Sequence, residues 1–254
     1  MNKKERHEDM IRYINKKGTV YSSSLHRKYK VTEMTIRRDL KELSEDGKII
    51  RIHGGAMAID KIVSDTQTTH SQRMKINSDS KEKLANFSLD FIKQNDCIFL
   101  GSGSTIQVLA DSLSSKPNIT VITDAINIAY SLSQLNYINV ISLGGELRGH
   151  SLATTGLLTE SNLKMFQINK AFIGINGIDE NGNLYTSSIV ESGLLEQTFN
   201  QVDDIYVLAD SSKLFHKDFV SIRINKPYKL ITDKKINEET KKRLEQKNIQ
   251  VYII

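Results

Sequence analysis

SSSLHRKYKVTEMTIRRDLKELSEDGKIIRIHGGA, residues Ser22 to Ala56, is the stretch whose reading decides the fold. Ser22 to Tyr29 is a short helix candidate, with Leu25 and Tyr29 four residues apart on one face. Val31 and Thr32 make a turn, and the Thr32 hydroxyl is placed to cap the start of a second helix. In that helix Ile36, Leu40 and Leu43 recur at i, i+4 and i+7, an apolar stripe that buries against a small bundle. Its other face carries Thr35, Arg37, Arg38 and Lys41, with Glu33 and Met34 in the first turn. Gly47 ends the helix. Beyond it Lys48 to Ile52, including Arg51, alternates charge and bulk, and His53, Gly54 and Gly55 turn the chain as a hairpin wing beside a helix-turn-helix does.

The first turns of such a helix enter the major groove of DNA, where an arginine pairs with guanine O6 and N7 and a threonine methyl touches thymine. The competing reading is a small helical subdomain with a solvated basic face. The location of the charge favours DNA. Residues 1–56 hold fourteen Lys and Arg against eight Asp and Glu, whereas the rest of the chain holds twenty-one against twenty-two. An excess confined to one end is the footprint of a domain that neutralises phosphates and releases their counterions.

The string Val31-Thr32-x-x-Thr35-Ile36-Arg37-Arg38-Asp39-Leu40-x-x-Leu43, then Gly47 and Arg51-x-His53-Gly54-Gly55-Ala56, resembles the DeoR family of bacterial sugar-metabolism repressors. The resemblance implies a winged helix-turn-helix with Thr32 to Ser44 as recognition helix. Thr32 stands where many members have Ser, one N-cap for another, and Lys30 replaces a commonly small residue at the turn. The DNA-contacting set is then Thr32, Glu33, Met34, Thr35, Arg37, Arg38, Lys41, Arg51 and His53.

Around this stretch, Glu5 to Lys17 reads as a first helix with Met10, Ile11 and Ile14 inward. Met57 to about Asn77 is polar and irregular and reads as a linker, and the helix from Ser80 to Lys93 opens a second domain. There, Asp96 to Leu100 is a buried strand, followed by Gly101-Ser102-Gly103-Ser104-Thr105 and a helix from Ile106. Strand, Gly/Ser loop and helix start make an anion site, because glycines admit close approach while N–H groups, hydroxyls and the helix dipole face the ligand. The plain alternative is a tight strand-to-helix turn. Strands at Ile119 to Asp124, Asn139 to Leu143, Ala171 to Ile175, Ile205 to Ala209, Leu230 to Thr232 and Gln250 to Ile253 argue for a mainly parallel α/β sheet.

Ligands of such sheets sit beyond the carboxyl ends of the strands. The polar residues there make one candidate site. Ser102, Ser104 and Thr105 would hold an anion; Asp124, Glu146 and Asp179 would accept hydrogen bonds from hydroxyls; Arg148 and Lys213 would supply positive charge. Gly144 and Gly145 turn the chain beside them. Gly101 to Thr105, Val121 to Asp124, Leu143 to Gly145, Ala171 to Asp179, Leu208 to Lys213 and Ile231 to Asp233 again look like the DeoR-family pattern. The family's C-terminal domain is similar in fold to ribose-5-phosphate isomerase, which implies a phosphorylated sugar as effector and a role in oligomerisation.

The expected fold is α/β, an N-terminal winged helix-turn-helix domain followed by a ribose-5-phosphate-isomerase-like α/β sensor domain. Its parts are residues 1–57 for DNA binding, 58–77 as linker and 78–254 for sensing and oligomerisation. The expected function is a cytoplasmic repressor of a sugar-catabolic operon, with a double-stranded DNA operator, a phosphorylated sugar effector and further copies of itself, as a dimer or tetramer, as partners. No run reaches the ~18 apolar residues of a membrane span. No metal site or cofactor is expected, and the single cysteine, Cys97, reads as core packing. The rival class is a sugar-phosphate isomerase in which Asp179, Glu191 and Lys213 act as acid, base and cation.

Overall fold

The computed structural model describes residues 3–17, 19–46, 48–52, 55–58, 69–116, 118–233, 236 and 238–254. They fall into two compact units, one ending at Thr68 and the other beginning at Thr69. Gly47, His53 and Gly54, expected as helix stop and wing turn, lie outside the described residues.

The first unit runs α1 (Lys3–Lys17), β1 (Thr19–Tyr21), α2 (Ser22–Tyr29), α3 (Glu33–Glu45), β2 (Ile49–Ile52) and β3 (Gly55–Ala58). The strands form an antiparallel sheet in the order β1-β3-β2, so β2 and β3 are the hairpin of the wing. Met10, Ile14, Leu25, Ile36, Leu40 and Leu43 close into one core with Val20, Ile49 and Ala56. Each fully buried Leu or Ile contributes roughly 1.5–3 kcal/mol, so losing any one is a large fraction of a small domain's stability. Lys30 ends α2 in the left-handed region, φ 52°, with its N–H donating to His26 O at 3.0 Å. That conformation is the one glycine adopts most easily, which is why the lysine here is unusual.

The second unit opens with α4 (His70–Lys75), where an irregular linker was expected. Thr69 and Gln72 form a reciprocal capping box that starts this helix. After α5 (Ser78–Ser88), the strands are β4 (Cys97–Leu100), β5 (Ile119–Thr123), β6 (Ile138–Ser142), β7 (Glu146–Arg148), β8 (Ala153–Thr155), β9 (Lys170–Gly174), β10 (Gly177–Ile178), β11 (Leu184–Thr186), β12 (Asp204–Leu208), β13 (Val220–Ser221), β14 (Lys229–Thr232) and β15 (Gln250–Ile253). Between them stand α6 (Ser104–Asp111), α7 (Ile126–Ser133), α8 (Leu157–Leu163), α9 (Ile189–Gln201) and α10 (Glu238–Glu245).

Seven of these strands make one parallel sheet in the order β15-β14-β12-β9-β4-β5-β6. Their runs are continuously apolar because both faces are covered. Alternate residues go to opposite cores: Phe99, Ala171, Ile173, Ile205 and Val207 to one, and Ile98, Leu100, Phe172, Tyr206 and Leu208 to the other. Cys97 packs half-buried against the first of these, its thiol pushed up by burial. From β4 the chain winds outward through β5 and β6; from β9 it winds the opposite way. The reversal between β4 and β9 is a topological switch point, the place beside whose carboxyl ends ligands of such sheets bind.

Candidate functional site

In the first unit, Thr32 has extended backbone and its Oγ1 accepts the N–H of Thr35 at 3.2 Å. The two hydroxyls also meet at 2.8 Å, which fixes the Thr35 side chain at the front of α3. Met34 is 76% exposed in the first turn. Arg37 and Arg38 are 66% and 79% exposed and each has a loose partner one turn away, Glu33 at 3.8 Å and Glu42 at 3.5 Å. Such exposed i,i+4 pairs are worth ~0.3–0.5 kcal/mol, so a phosphate or a guanine easily displaces them. Glu33 and Lys41 are exposed on the same helix. Arg51 has its backbone in β2, and His53 is among the residues not described.

The back of α3 is held rigidly. Asp39, 2% exposed, accepts Arg6 Nε at 2.7 Å and Nη2 at 3.2 Å, and lies 3.0 Å from His7 Nε2. Burial raises the Asp39 pKa, but the Arg6 and His7 hydrogen bonds outweigh it and hold the carboxyl below its usual range.

In the second unit, the Gly101 N–H donates to Phe172 O at 3.0 Å, so β4 and β9 are tied together up to the start of the Gly/Ser loop. Gly103 precedes α6 at φ 131°, and no side chain caps that helix start. Nothing lies within 4 Å of where a Gly103 Cβ would be, so the backbone angle, not crowding, requires glycine. Ser104 is buried, with Ser102 and Thr105 half-buried. Asp124 lies beside Ser102 at the end of β5. Burial pushes its carboxyl up to about 7; the Ser102 hydroxyl pulls it down and Glu191 pushes it further up.

The expected set does not all converge. Arg148, on β7, donates to the Ser188 hydroxyl and pairs with Glu191 Oε1 at 3.1 Å, so its charge is met within the protein. Glu146 is exposed on the same strand. Gly144 O accepts the Thr159 hydroxyl at 2.7 Å, and a Cβ at Gly145 would sit 2.1 Å from Thr159 Oγ1, which gives both glycines a structural role. Asp179 is the clearest departure from the expected hydroxyl acceptor. Its oxygens already accept Asn181 N at 2.9 Å, Asn183 N at 2.9 Å, Asn183 Nδ2 at 3.0 Å and the Tyr185 hydroxyl at 3.0 Å, with Lys217 at 3.6 Å. It is the knot of the β10–β11 turn. Of the isomerase-type set, Asp179 and Glu191 are each engaged by other protein groups, while Ile178 bridges Leu214 and so brings the Lys213 turn beside that of Asp179.

Lys213 lies half-buried in the turn after β12, next to a lysine that sequence reasoning passed over. Lys81 is 4% exposed and donates to the carbonyls of Arg73 and Ile76. Burial lowers its pKa; Asp210 opposes, and Lys213 and Arg73 lower it further. Asp210 accepts Asn77 Nδ2 at 3.2 Å and Ser212 N at 2.9 Å, and so fixes the turn that carries Lys213. Arg73, Lys81 and Lys213 therefore form a cationic group around one carboxylate, and α4, which carries Arg73, packs on α6. The signal was present in the sequence. Lys81, Leu84, Ala85 and Ser88 are the buried stripe of α5, and a lysine heading such a stripe is out of place in a plain core.

The family model for the DeoR-like helix-turn-helix domain matches residues 6–62, and that for the DeoR C-terminal sensor domain matches residues 76–234. The chain belongs to the DeoR family. This DeoR-family chain is 33% identical over 236 residues to the lactose phosphotransferase system repressor of Streptococcus mutans, covering 92% of this chain and 93% of that protein. It is 30% identical over 206 residues to the HTH-type transcriptional regulator IolR of Bacillus subtilis, covering 81% of each. Among solved structures, a D-ribose-5-phosphate isomerase in complex with phospho-erythronic acid aligns over 53% of this chain and 52% of its own, at 20% identity and a TM-score of 0.40. That likeness is too slight to carry function. Among the described residues no helix is long and apolar enough to cross a membrane, and no group of three or more His, Cys, Asp or Glu is placed to hold a metal ion.

Proposed function

We propose that this DeoR-family chain is a DNA-binding transcriptional repressor of a sugar-catabolic operon, controlled by a phosphorylated sugar bound at the carboxyl end of the sheet in its second unit. The observation that carries the effector half is Lys81. A buried ammonium whose hydrogen bonds among the described residues go to two carbonyls, with Lys213 and Arg73 as well as Asp210 close by, is a cationic group to which a phosphate adds matching charge. The phosphate end then comprises Lys81, Lys213 and Arg73, with the uncapped start of α6 and Ser102, Ser104 and Thr105 beside it. Arg148 and Asp179 are left to structural work.

DNA recognition falls to residues 1–57. Thr35, Arg37 and Arg38 read bases, and Thr32, Glu33, Met34, Lys41, Arg51 and His53 complete the proposed DNA-contacting set. One helix-turn-helix reads one half-site, so the active species is at least a dimer, with half-sites about one turn of ~34 Å apart or a multiple of it. Residues 78–254 with α4 sense the effector and join the copies, and the whole acts in the cytoplasm, where its operator is. The chain is not an enzyme. The relatives named as regulators, and the engagement of Asp179 and Glu191 by other protein groups, support this reading over the isomerase.

The experiment is a thermal-shift screen of sugar phosphates on the full chain, followed by operator binding with each hit. At least one sugar phosphate should stabilise the protein and change its affinity for its own upstream promoter fragment. Turnover of that compound at ordinary enzyme rates would overturn the assignment.

A further inference from the structure

Three buried polar atoms without a hydrogen-bond partner lie on adjoining segments at the carboxyl end of β5: Asp124 Oδ1, Asn127 Oδ1 and Ser151 Oγ. The segments are held together by the backbone. Thr154 N donates to Asp124 O at 2.7 Å, Ile126 N donates to Leu152 O at 2.9 Å, and Ala125 bridges Ala153. The turn of hairpin β7–β8, which contains Ser151, is thereby packed on the start of α7.

Asn127 and Asp124 are fixed in place. The Asn127 amide nitrogen spends its hydrogens on Gln107 Oε1 at 2.5 Å and His70 Nε2 at 3.2 Å. Gln107 is in turn anchored to Asp111 Oδ1 at 2.6 Å, so the amide oxygen of Asn127 cannot rotate into those contacts. His70 accepts here, which requires the neutral ring that its burial favours. Asp124 is held beside Ser102 of the Gly/Ser loop. Helix α4 joins this group to the cationic one: His70 meets Asn127, Arg73 Nη2 donates to His150 O at 3.3 Å, and the Arg73 carbonyl receives Lys81.

A buried polar atom left unpaired costs stability, and three on adjoining segments are a cost that a ligand can relieve. We propose that Asp124, Asn127 and Ser151 form the subsite that holds the hydroxyls of the sugar, and so set which sugar phosphate is accepted; this rests on the phosphate end proposed above. Two acceptors and one hydroxyl suit adjacent O–H groups. An uncharged partner fits better than an ammonium, because Glu191 already pairs with Arg148 and the buried position of Asp124 disfavours bringing in a further charge.

The test is calorimetry and thermal shift on the full chain with inorganic phosphate, a panel of hexose and pentose phosphates, and glucosamine 6-phosphate. Wild type should bind one neutral sugar phosphate at least about tenfold more tightly than inorganic phosphate. Asp124→Leu and Ser151→Ala should each reduce that ratio about tenfold, with Asp124→Asn intermediate. Melting of the ligand-free variants separates this from a packing role: removing an orphan polar atom should leave Tm level or raise it. Variants that keep the full preference, or that lose it only along with the folded state, overturn the subsite. Tighter binding of glucosamine 6-phosphate than of glucose 6-phosphate, abolished by Asp124→Leu, overturns the hydroxyl assignment. Wild type that binds none of the probes defeats the phosphate end itself, and the subsite with it.

Discussion

Arg6 on α1 grips Asp39 on α3 through two hydrogen bonds, Nε to Oδ2 at 2.7 Å and Nη2 to Oδ1 at 3.2 Å, with the arginine 11% and the aspartate 2% exposed. The helix that meets DNA is thus braced from behind. Truncating one partner strands the other charge, so Arg6→Ala should cost about 3 kcal/mol in urea unfolding of the first unit. Asp39 has its pKa lowered in the fold, so its contribution is full above the ordinary carboxylate pKa and is lost as pH falls through the folded value. Unfolding of wild type should therefore ease steeply in acid, and Asp39→Asn should flatten that slope. An acid slope identical in the two proteins contradicts the brace.

The cap at Thr32 accepts the Thr35 N–H. Thr32→Ala should lower stability by about 1 kcal/mol, whereas Thr32→Ser should be close to neutral. Equal losses in the two melting curves would point to the methyl group instead of the hydroxyl.

Arg38 is 79% exposed on α3, with Glu42 a loose partner at 3.5 Å. Arg38→Ala should lose ~1–3 kcal/mol of discrimination at one base position, measured by binding to single-base variants of the operator. A uniform loss across all sequences, with a shallower salt dependence, reassigns Arg38 to phosphates and leaves Arg37 as the reader.

Lys213 sits at the phosphate end with Lys81. Lys213→Ala should still shift operator DNA but lose its response to the sugar phosphate, since an effector acts only through differential affinity for two states. Normal induction in this variant removes Lys213 from the site.

Asp179 accepts four hydrogen bonds within its own turn. Asp179→Ala should destabilise the second unit by about 2–3 kcal/mol while leaving the sugar preference intact in whatever fraction remains folded. Loss of preference at unchanged melting temperature returns Asp179 to the binding site.

The helix-turn-helix was legible because its information is local: a cap, a stripe at i, i+4, i+7, and charge on the far face. The seven-stranded sheet was legible because strands covered on both faces spell continuous apolar runs. The hairpin β7–β8 and the sheet β10-β11-β13 were not, since strands of two or three residues set no period. Helix α9 opens with Ile189 and Val190 exposed, which blurs its amphipathic pattern. The hydrogen bonds of Asp179 within its own turn were legible too. Asp179-Glu-Asn-Gly-Asn183 is turn chemistry, in which an aspartate binds its own backbone two residues on. Asn127 is held by Gln107 and His70, distant in the chain, and no spacing rule brings those together.

The central claim is that a cationic front unit binds a particular DNA site while the second unit answers to a sugar phosphate. The most direct measurement is a gel shift of the full chain on its own upstream promoter fragment and on random duplex, with and without the sugar phosphate found by thermal shift. The account predicts a clear preference for the promoter that the sugar phosphate alters and inorganic phosphate does not. Equal binding to both duplexes, unmoved by any sugar phosphate, contradicts it.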